Sequence, residues 1–315
     1  MKVGFDGIVL GSLAAQSAFK QRRLQPPAQP HAVRMLDVGC GCGIVALILR
    51  QAADRARVPV AEVLAIDIDT DAASQARENV RRSPWPHDVH VLHTSLKAFV
   101  CSSSPSPSSS ASSTSGNALV NANGPCSYSG VRPPGAASVF DLIVCNPPYY
   151  ARPRAGRRGG GTSLALSAAD WPANRAHARF SEYLPAHELM SAAASLLEPS
   201  SNSSSFWCIY PLSEERRVRA CAALAGLQCR RRVTVRFQAG HAVKRVVLEW
   251  GLANNSLLEE TAAQHDQGKY ETEEEELVVR QAQGGGFTPE FIALASECYS
   301  NDLGSYSSGI PSPSG

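Results

Sequence analysis

Short apolar runs alternate with stretches of helical periodicity along most of this chain. Such alternation predicts an α/β fold with a doubly wound, Rossmann-like and mostly parallel sheet. The last two runs, joined by residues 238–241, predict an antiparallel hairpin at the edge of that sheet. Ligands bind such sheets at the carboxyl ends of the strands. The predicted strands are 34–38, 61–67, 88–93, 139–145, 206–210, 230–237 and 242–250, and the predicted helices are 43–56, 70–82, 185–197 and 214–225.

Three stretches of biased composition interrupt or follow this pattern. Ser accounts for ten of the seventeen residues in 101–117, and the Ser/Pro/Gly-rich bias runs on to residue 138. Such segments cannot bury enough apolar surface to offset their ordering entropy. We therefore predict a single domain over residues 1–300, with a disordered insert at 101–138, an acidic flexible insert at 251–276 and a disordered tail at 301–315.

The formal net charge of +2 hides an uneven distribution. Residues 251–276 hold eight acidic residues and one Lys, which leaves 29 basic and 20 acidic residues elsewhere, a net charge of +9. A basic body suits a polyanionic partner such as nucleic acid. The alternative interpretation is a set of solvated basic faces.

The nine cysteines are odd in number and irregularly spaced, which is typical of a reducing compartment and gives no zinc pattern. No apolar run reaches 18 residues, so no membrane-spanning helix is expected. We therefore expect a cytoplasmic, metal-free monomer without membrane association. An organellar location would follow only if a targeting segment precedes residue 1.

The loop after the first predicted strand reads LDVGCGCG over residues 36–43. Alternating glycines let a backbone turn tightly and approach a ligand. Asp67 ends the second predicted strand, where a carboxylate can accept both hydroxyls of a ribose. It could equally be a helix N-cap, although Asp69 or Thr70 could fill that role. Taken together, the loop and Asp67 favour ribose binding.

The sequence NPPY at 146–149 directly follows another predicted strand. Two prolines stiffen the turn, so the Asn146 amide and the Pro147 carbonyl face one point and can accept both N–H bonds of a planar amino group. This localises the lone pair of a nitrogen that is otherwise a poor nucleophile, and Tyr149 offers a face for stacking. The alternative is a proline-rich loop that only ends a strand.

Together these motifs resemble the class I S-adenosylmethionine-dependent methyltransferases with an Asn-Pro-Pro-Tyr signature, which modify planar amino nitrogens. The resemblance implies that the glycine loop holds the methionine part of S-adenosylmethionine and the acidic residue its ribose. The residues assigned to the cofactor on this basis are Asp37, Gly39, Gly41, Gly43 and Asp67, and those assigned to catalysis are Asn146, Pro147 and Tyr149.

A narrower resemblance extends over nearly the whole folded part. Six segments are similar to those of bacterial tRNA(Val) adenine-37 N6-methyltransferases. They are the opening MKVGFDGIVLG, SPW at 83–85, NPPYY at 146–150, Arg175 with ARF at 178–180, HAVKRVVL at 241–248, and a late strand–helix pair formed by ELVVR at 276–280 and TPEFIALASECY at 288–299. This similarity implies that Lys2 and Asp6 fold over the cofactor. Phe5 stands where the family has Thr, and Ser95 stands where it has an acid facing the cofactor adenine. Candidate tRNA contacts are Pro148, Tyr150, Arg152, Arg154, Arg157, Arg158, Arg175 and Arg179.

The predicted reaction is direct methyl transfer to N6 of an adenine splayed from a tRNA anticodon loop, with catalysis by positioning. The same signature also serves methylation of release-factor glutamine, of guanine N2 in ribosomal RNA and of DNA adenine. A silent RNA-binding relative is a non-enzymatic alternative.

Overall fold

The structure, a computed structural model, describes residues 4–24, 31–103, 139–148, 184–253, 272–282 and 285–296. These residues form strands and helices that alternate as the sequence predicts. The strands are β1 (Val33–Val38), β2 (Val60–Asp67), β3 (Val89–His93), β4 (Leu142–Cys145), β5 (Ser205–Pro211), β6 (Leu227–Arg236), β7 (Arg245–Leu252) and β8 (Glu273–Val278). The helices are α1 (Phe5–Leu24), α2 (Ile44–Arg55), α3 (Thr70–Arg81), α4 (Leu96–Ser103), α5 (Ala186–Leu196), α6 (Glu215–Leu224) and α7 (Pro289–Ser296).

The strands form one sheet in the order β3-β2-β1-β4-β5-β7-β6-β8. Strand β7 is antiparallel to both of its neighbours, and every other pairing is parallel. The order reverses between β1 and β4, so a crevice opens there at the carboxyl ends of the strands. The predicted doubly wound, mostly parallel α/β fold is confirmed.

Helices cover both faces of this sheet, and each face has its own apolar core. Helices α1, α2, α3 and α7 pack against one face, and α4, α5 and α6 pack against the other. The parallel strands at the centre are buried on both sides, which explains why LIVC at 142–145 is uniformly apolar. Among the described residues, no helix is both long and apolar enough to cross a bilayer.

The edge of the sheet differs from the prediction. The antiparallel pairing of β6 with β7 is correct, but the hairpin does not form the edge, because β8 pairs in parallel with β6 beyond it. The acidic insert is therefore narrower than predicted: residues 251–252 belong to β7 and residues 273–276 to β8. Residues 254–271 lie outside the described part of the chain.

Ion pairs explain how four consecutive glutamates occupy a strand. The guanidinium groups of Arg231 and Arg236 on β6 contact the Glu275 and Glu276 carboxylates of β8, each at 2.7 Å. Opposite charges on adjacent strands are stabilising, and glutamates alone disfavour a strand. The acidic residues at 273–276 therefore neutralise part of the positive charge carried by the rest of the chain. Unpaired basic charge on β6 is correspondingly smaller than the sequence suggests.

Two helices lie in regions where none was predicted. Helix α1 fills the N-terminal segment, and its buried face includes Val9, Leu10 and Leu13. Helix α4 continues to Ser103, so residues 101–103 of the predicted Ser-rich insert are helical. Residues 104–138, the rest of that insert, and the tail from 297 onward lie outside the described residues.

Candidate active site

The register of the central strands brings the predicted motifs to one edge of the sheet. Val38 on β1 pairs with Ile66 on β2 and with Cys145 on β4. The next residues along the three strands are Gly39, Asp67 and Asn146, which therefore stand side by side. Neighbouring strands lie about 4.8 Å apart, so Asp67 and Asn146 flank the glycine loop at a separation of roughly 10 Å.

The loop at 39–43 needs its glycines for backbone reasons. Gly39, Gly41 and Gly43 have φ of 70, 56 and 79°, in the left-handed region that disfavours other residues. Backbone hydrogen bonds from Gly39 and Cys40 to the Ile66 carbonyl, 2.8 and 3.0 Å long, tie the loop to β2. A Cβ at Gly39 would meet no atom within 4 Å, so a ligand can approach the backbone closely there.

Gly43 has a packing role. It precedes the first residue of α2, and a Cβ at this position would lie 3.2 Å from the Cβ of Ala76 on α3. The side chain of Asn79, also on α3, donates from Nδ2 to the Cys42 carbonyl at 2.9 Å. Helix α3 thus supports the loop, and Asn79 is a supporting residue that the sequence interpretation missed.

Asp67 holds the loop from the side. Its Oδ2 accepts the Gly41 N–H at 2.7 Å, and its Oδ1 accepts the Asp69 N–H at 2.8 Å. Burial raises the pKa of Asp67, and these two hydrogen bonds partly offset that effect. The helix N-cap is Asp69, whose side chain accepts the Ala72 N–H, so capping does not account for Asp67. Each carboxylate oxygen keeps lone-pair capacity for a ribose hydroxyl.

Asp37 lies beneath the loop. Its side chain is 2% exposed, and Oδ2 accepts the Ala46 N–H of α2 at 3.0 Å. Burial raises the pKa of Asp37 to about 7. This carboxylate therefore fixes the first turn of α2 against β1, and its direct contact with a cofactor stays a prediction.

Asn146 and Pro147 follow β4 as predicted, and Asn146 is half-buried while Pro147 is buried. Helix α1 passes close to Asn146: a Cβ at Gly7 would lie 4.0 Å from Nδ2 of Asn146 and 3.5 Å from Val45 of α2. Only a residue with a small side chain allows this approach. The N-terminal helix is thus part of the wall around Asn146.

Asp6 and Ser95 both have protein partners. The Arg245 guanidinium on β7 donates to Asp6 Oδ2 at 3.0 Å, and sequence analysis gave no sign of this pair. Ser95 Oγ accepts the Ala98 N–H at 3.2 Å, so it caps α4. Contact of either residue with a cofactor stays a prediction.

Pro148 is half-buried beside Pro147. The remaining predicted site residues lie outside the described residues. They are Lys2, Tyr149, Tyr150, Arg152, Arg154, Arg157, Arg158, Arg175 and Arg179. Within the described part of the chain, no cluster of three or more His, Cys, Asp or Glu side chains could hold a metal ion.

Comparison with known proteins agrees with this geometry. The family model described as "Methyltransferase small domain" matches residues 17–103, which include the glycine loop and Asp67. A tRNA1(Val) (adenine(37)-N6)-methyltransferase of Tolumonas auensis is 30% identical over 299 residues, which cover 95% of this chain and 90% of that protein. The chain belongs to this methyltransferase family.

Two further members of the family show the same extent of similarity. The proteins of the same name from Bacteroides thetaiotaomicron and Trichodesmium erythraeum are 28% and 26% identical, over 82% and 95% of this chain and 81% and 91% of their own lengths. The similarity to this methyltransferase family therefore spans both ends of the chain, as the sequence motifs predict.

Proposed function

We propose that this protein transfers a methyl group from S-adenosylmethionine to N6 of an adenine in a tRNA anticodon loop, at the position corresponding to adenine 37. The observation that carries the proposal is the placement of Asn146 and Asp67 on either side of the glycine loop, in a chain that belongs to a tRNA adenine-N6 methyltransferase family.

The residues present fit the cofactor. Gly39 offers open backbone, and Asp67 offers two carboxylate oxygens that each accept only one protein N–H in the bonds described above. S-adenosylmethionine supplies an electrophilic methyl group on its sulfonium. The loop and Asp67 would hold the cofactor at the edge of the sheet where Asn146 follows β4.

The Asn-Pro pair acts on the nucleophile. The Asn146 side-chain oxygen and the Pro147 carbonyl accept the two N–H bonds of the adenine amino group, so its lone pair localises on N6 and points at the methyl group. Because the Gly7 side of α1 and the prolines restrict the motion of Asn146, catalysis is chiefly positioning. Tyr149 supplies the stacking face for the flipped base.

The test uses labelled S-adenosylmethionine and unmodified tRNA, with ribosomal RNA, DNA and a release factor in parallel tubes. We expect label in N6-methyladenosine for the wild type and for Asn202→Ala, a control in an exposed turn before β5. Asn146→Ala should lose most transfer while its affinity for S-adenosylmethionine stays within a few-fold. Label in N2-methylguanosine, in DNA adenine or in glutamine would overturn the substrate, and absent transfer with intact cofactor binding would indicate a silent relative.

A further inference from the structure

Four phenylalanines meet at the start of α1. The ring of Phe5 lies 6.4 Å from Phe237, 6.0 Å from Phe287 and 6.2 Å from Phe291, measured between centroids. Phe291 is buried, whereas Phe5 is 36% exposed and is one of the few large apolar side chains that reach the surface of the described part. This Phe5 cluster (Phe5, Phe237, Phe287 and Phe291) therefore has an inner side in the core and an outer side facing solvent.

Arg280 covers part of the outer side. Its guanidinium carbon lies 4.5 Å from the Phe287 ring centroid and 5.9 Å from that of Phe5, and the residue is exposed. Within the described residues it forms no ion pair with a carboxylate, whereas Arg236 and Arg245 at the same edge contact Glu276 and Asp6. Among the acidic side chains that the structure describes, none neutralises the planar cation of Arg280.

The cluster stands at the same edge of the sheet as Asn146. Phe237 follows β6 and Arg280 follows β8, and both strands run parallel to β5, so they end at the edge where β4 ends. Phe5 is two residues from Gly7, whose Cβ would lie 4.0 Å from Asn146 Nδ2. With consecutive Cα atoms 3.8 Å apart, the Cα of Phe5 is no more than roughly 14 Å from that amide.

We propose that Arg280, Phe5 and Phe287 form a stacking platform for an unpaired RNA base that flanks the methylated adenine. This inference rests on the proposed function. Unpaired bases stack on aromatic rings and on arginine planes, and the cation also attracts the adjacent phosphates. A separation of at most roughly 14 Å is spanned by no more than about four stacked nucleotides at roughly 3.4 Å each, so the platform lies within reach of bases that flank the target in the same loop.

The test compares Arg280→Ala and Arg280→Lys with the wild type, using an anticodon stem-loop that carries 2-aminopurine at each position flanking the target in turn. The control is Arg81→Ala, which removes an exposed arginine at the opposite edge of the sheet. We expect Arg280→Ala to raise the KM for the RNA about tenfold and to abolish quenching of one flanking 2-aminopurine. The affinity for S-adenosylmethionine and kcat should change less than twofold.

Arg280→Lys separates stacking from charge. It keeps the cation and loses the plane, so quenching should be lost and the KM should rise in part. Phe5→Leu keeps the apolar packing but loses the ring. It should also lose quenching and raise the KM for the RNA in part, while its melting temperature stays that of the wild type. Wild-type KM and quenching in Arg280→Lys, or unchanged quenching in Arg280→Ala, would contradict the proposed stacking platform. Neither result would contradict methyl transfer. A wild type without any transfer to the RNA would instead overturn the proposed function.

Discussion

Arg245 donates a hydrogen bond to Asp6 across 3.0 Å and thereby joins the first residue of β7 to the first turn of α1. The two side chains are only 18% and 15% exposed. Because Gly7 follows Asp6 and lies against Asn146, this ion pair fixes the part of α1 that borders the candidate catalytic amide. Residues about 240 positions apart in sequence thus act on one site.

A double-mutant cycle should detect this coupling. We expect Asp6→Asn and Arg245→Gln to show an interaction energy of about 1 kcal/mol in unfolding experiments, because the pair is largely shielded from water. Each single variant should reduce methyl transfer more than it weakens S-adenosylmethionine binding. The exposed pair of Arg236 with Glu276 is the comparison, with an expected coupling of about 0.5 kcal/mol or less. Equal coupling in both pairs, with transfer unaffected, would contradict this account.

Asp67→Asn should weaken S-adenosylmethionine binding about 10- to 100-fold, measured by calorimetric titration. Both carboxylate oxygens accept backbone N–H groups, but an amide has only one oxygen, so its NH₂ would face the Gly41 or the Asp69 N–H. Lost charge-assisted hydrogen bonds are each worth about 1.5–3 kcal/mol. Asp69→Asn is the matched control, because Asn caps a helix as well as Asp does. A similar loss in both variants would argue against a ribose contact at Asp67.

Gly43→Ala should destabilise the fold by about 2–4 kcal/mol in urea unfolding. The new Cβ adds a contact at 3.2 Å with Ala76 to the cost of a left-handed backbone at φ of 79°. Gly226→Ala separates the two costs, because its φ is 74° and its Cβ would meet no atom within 4 Å. We expect Gly226→Ala to lower the free energy of unfolding by only about 1–2 kcal/mol. Equal losses would mean that the packing of α2 on α3 tolerates the methyl group.

Glu249→Gln should stabilise the protein increasingly between pH 5 and pH 7. Burial raises the pKa of Glu249 from 4.5 to about 7 against the opposing effect of Arg230 and Arg231. The folded state therefore binds this proton more tightly than the unfolded chain, and the free energy of unfolding falls as pH rises through that window. Gln has no proton to lose. The difference in the free energy of unfolding between Glu249→Gln and the wild type should therefore grow by about 1.4 kcal/mol per pH unit.

Thermal and urea unfolding at pH 5, 6, 7 and 8 measure this difference. Glu78→Gln provides the control, because Arg81 lowers the pKa of Glu78 to about 2. That carboxylate is ionised in the folded chain across the whole range and mostly ionised in the unfolded chain, so the effect of its substitution on the free energy of unfolding should change little with pH. A constant difference for Glu249→Gln would show that this carboxylate is ionised in the fold throughout.

The local pattern was enough to predict the strands, most helices and the three motifs at the carboxyl edge. Strand β4 can be predicted from its sequence because a strand buried on both faces must be apolar. The loop at 39–43 can be predicted because its three positive φ angles require glycine. The end of β8 was predicted through the family resemblance, as the strand ELVVR at 276–280, but residues 273–275 were assigned only to the acidic insert. Four glutamates oppose a strand until arginines from β6 stand beside them, and that pairing depends on residues more than 40 positions away.

The sequence by itself determined the fold class, the glycine loop, Asp67 and the Asn-Pro-Pro motif, because each follows from local geometry and from chemistry close in the chain. Only the tertiary structure decided what surrounds them. It placed Gly7 against Asn146, paired Asp6 with Arg245, buried Asp37 under α2 and assembled Phe5, Arg280 and Phe287 at the same edge. These contacts join distant segments, and periodicity carries no information about which distant residues meet when a sheet closes.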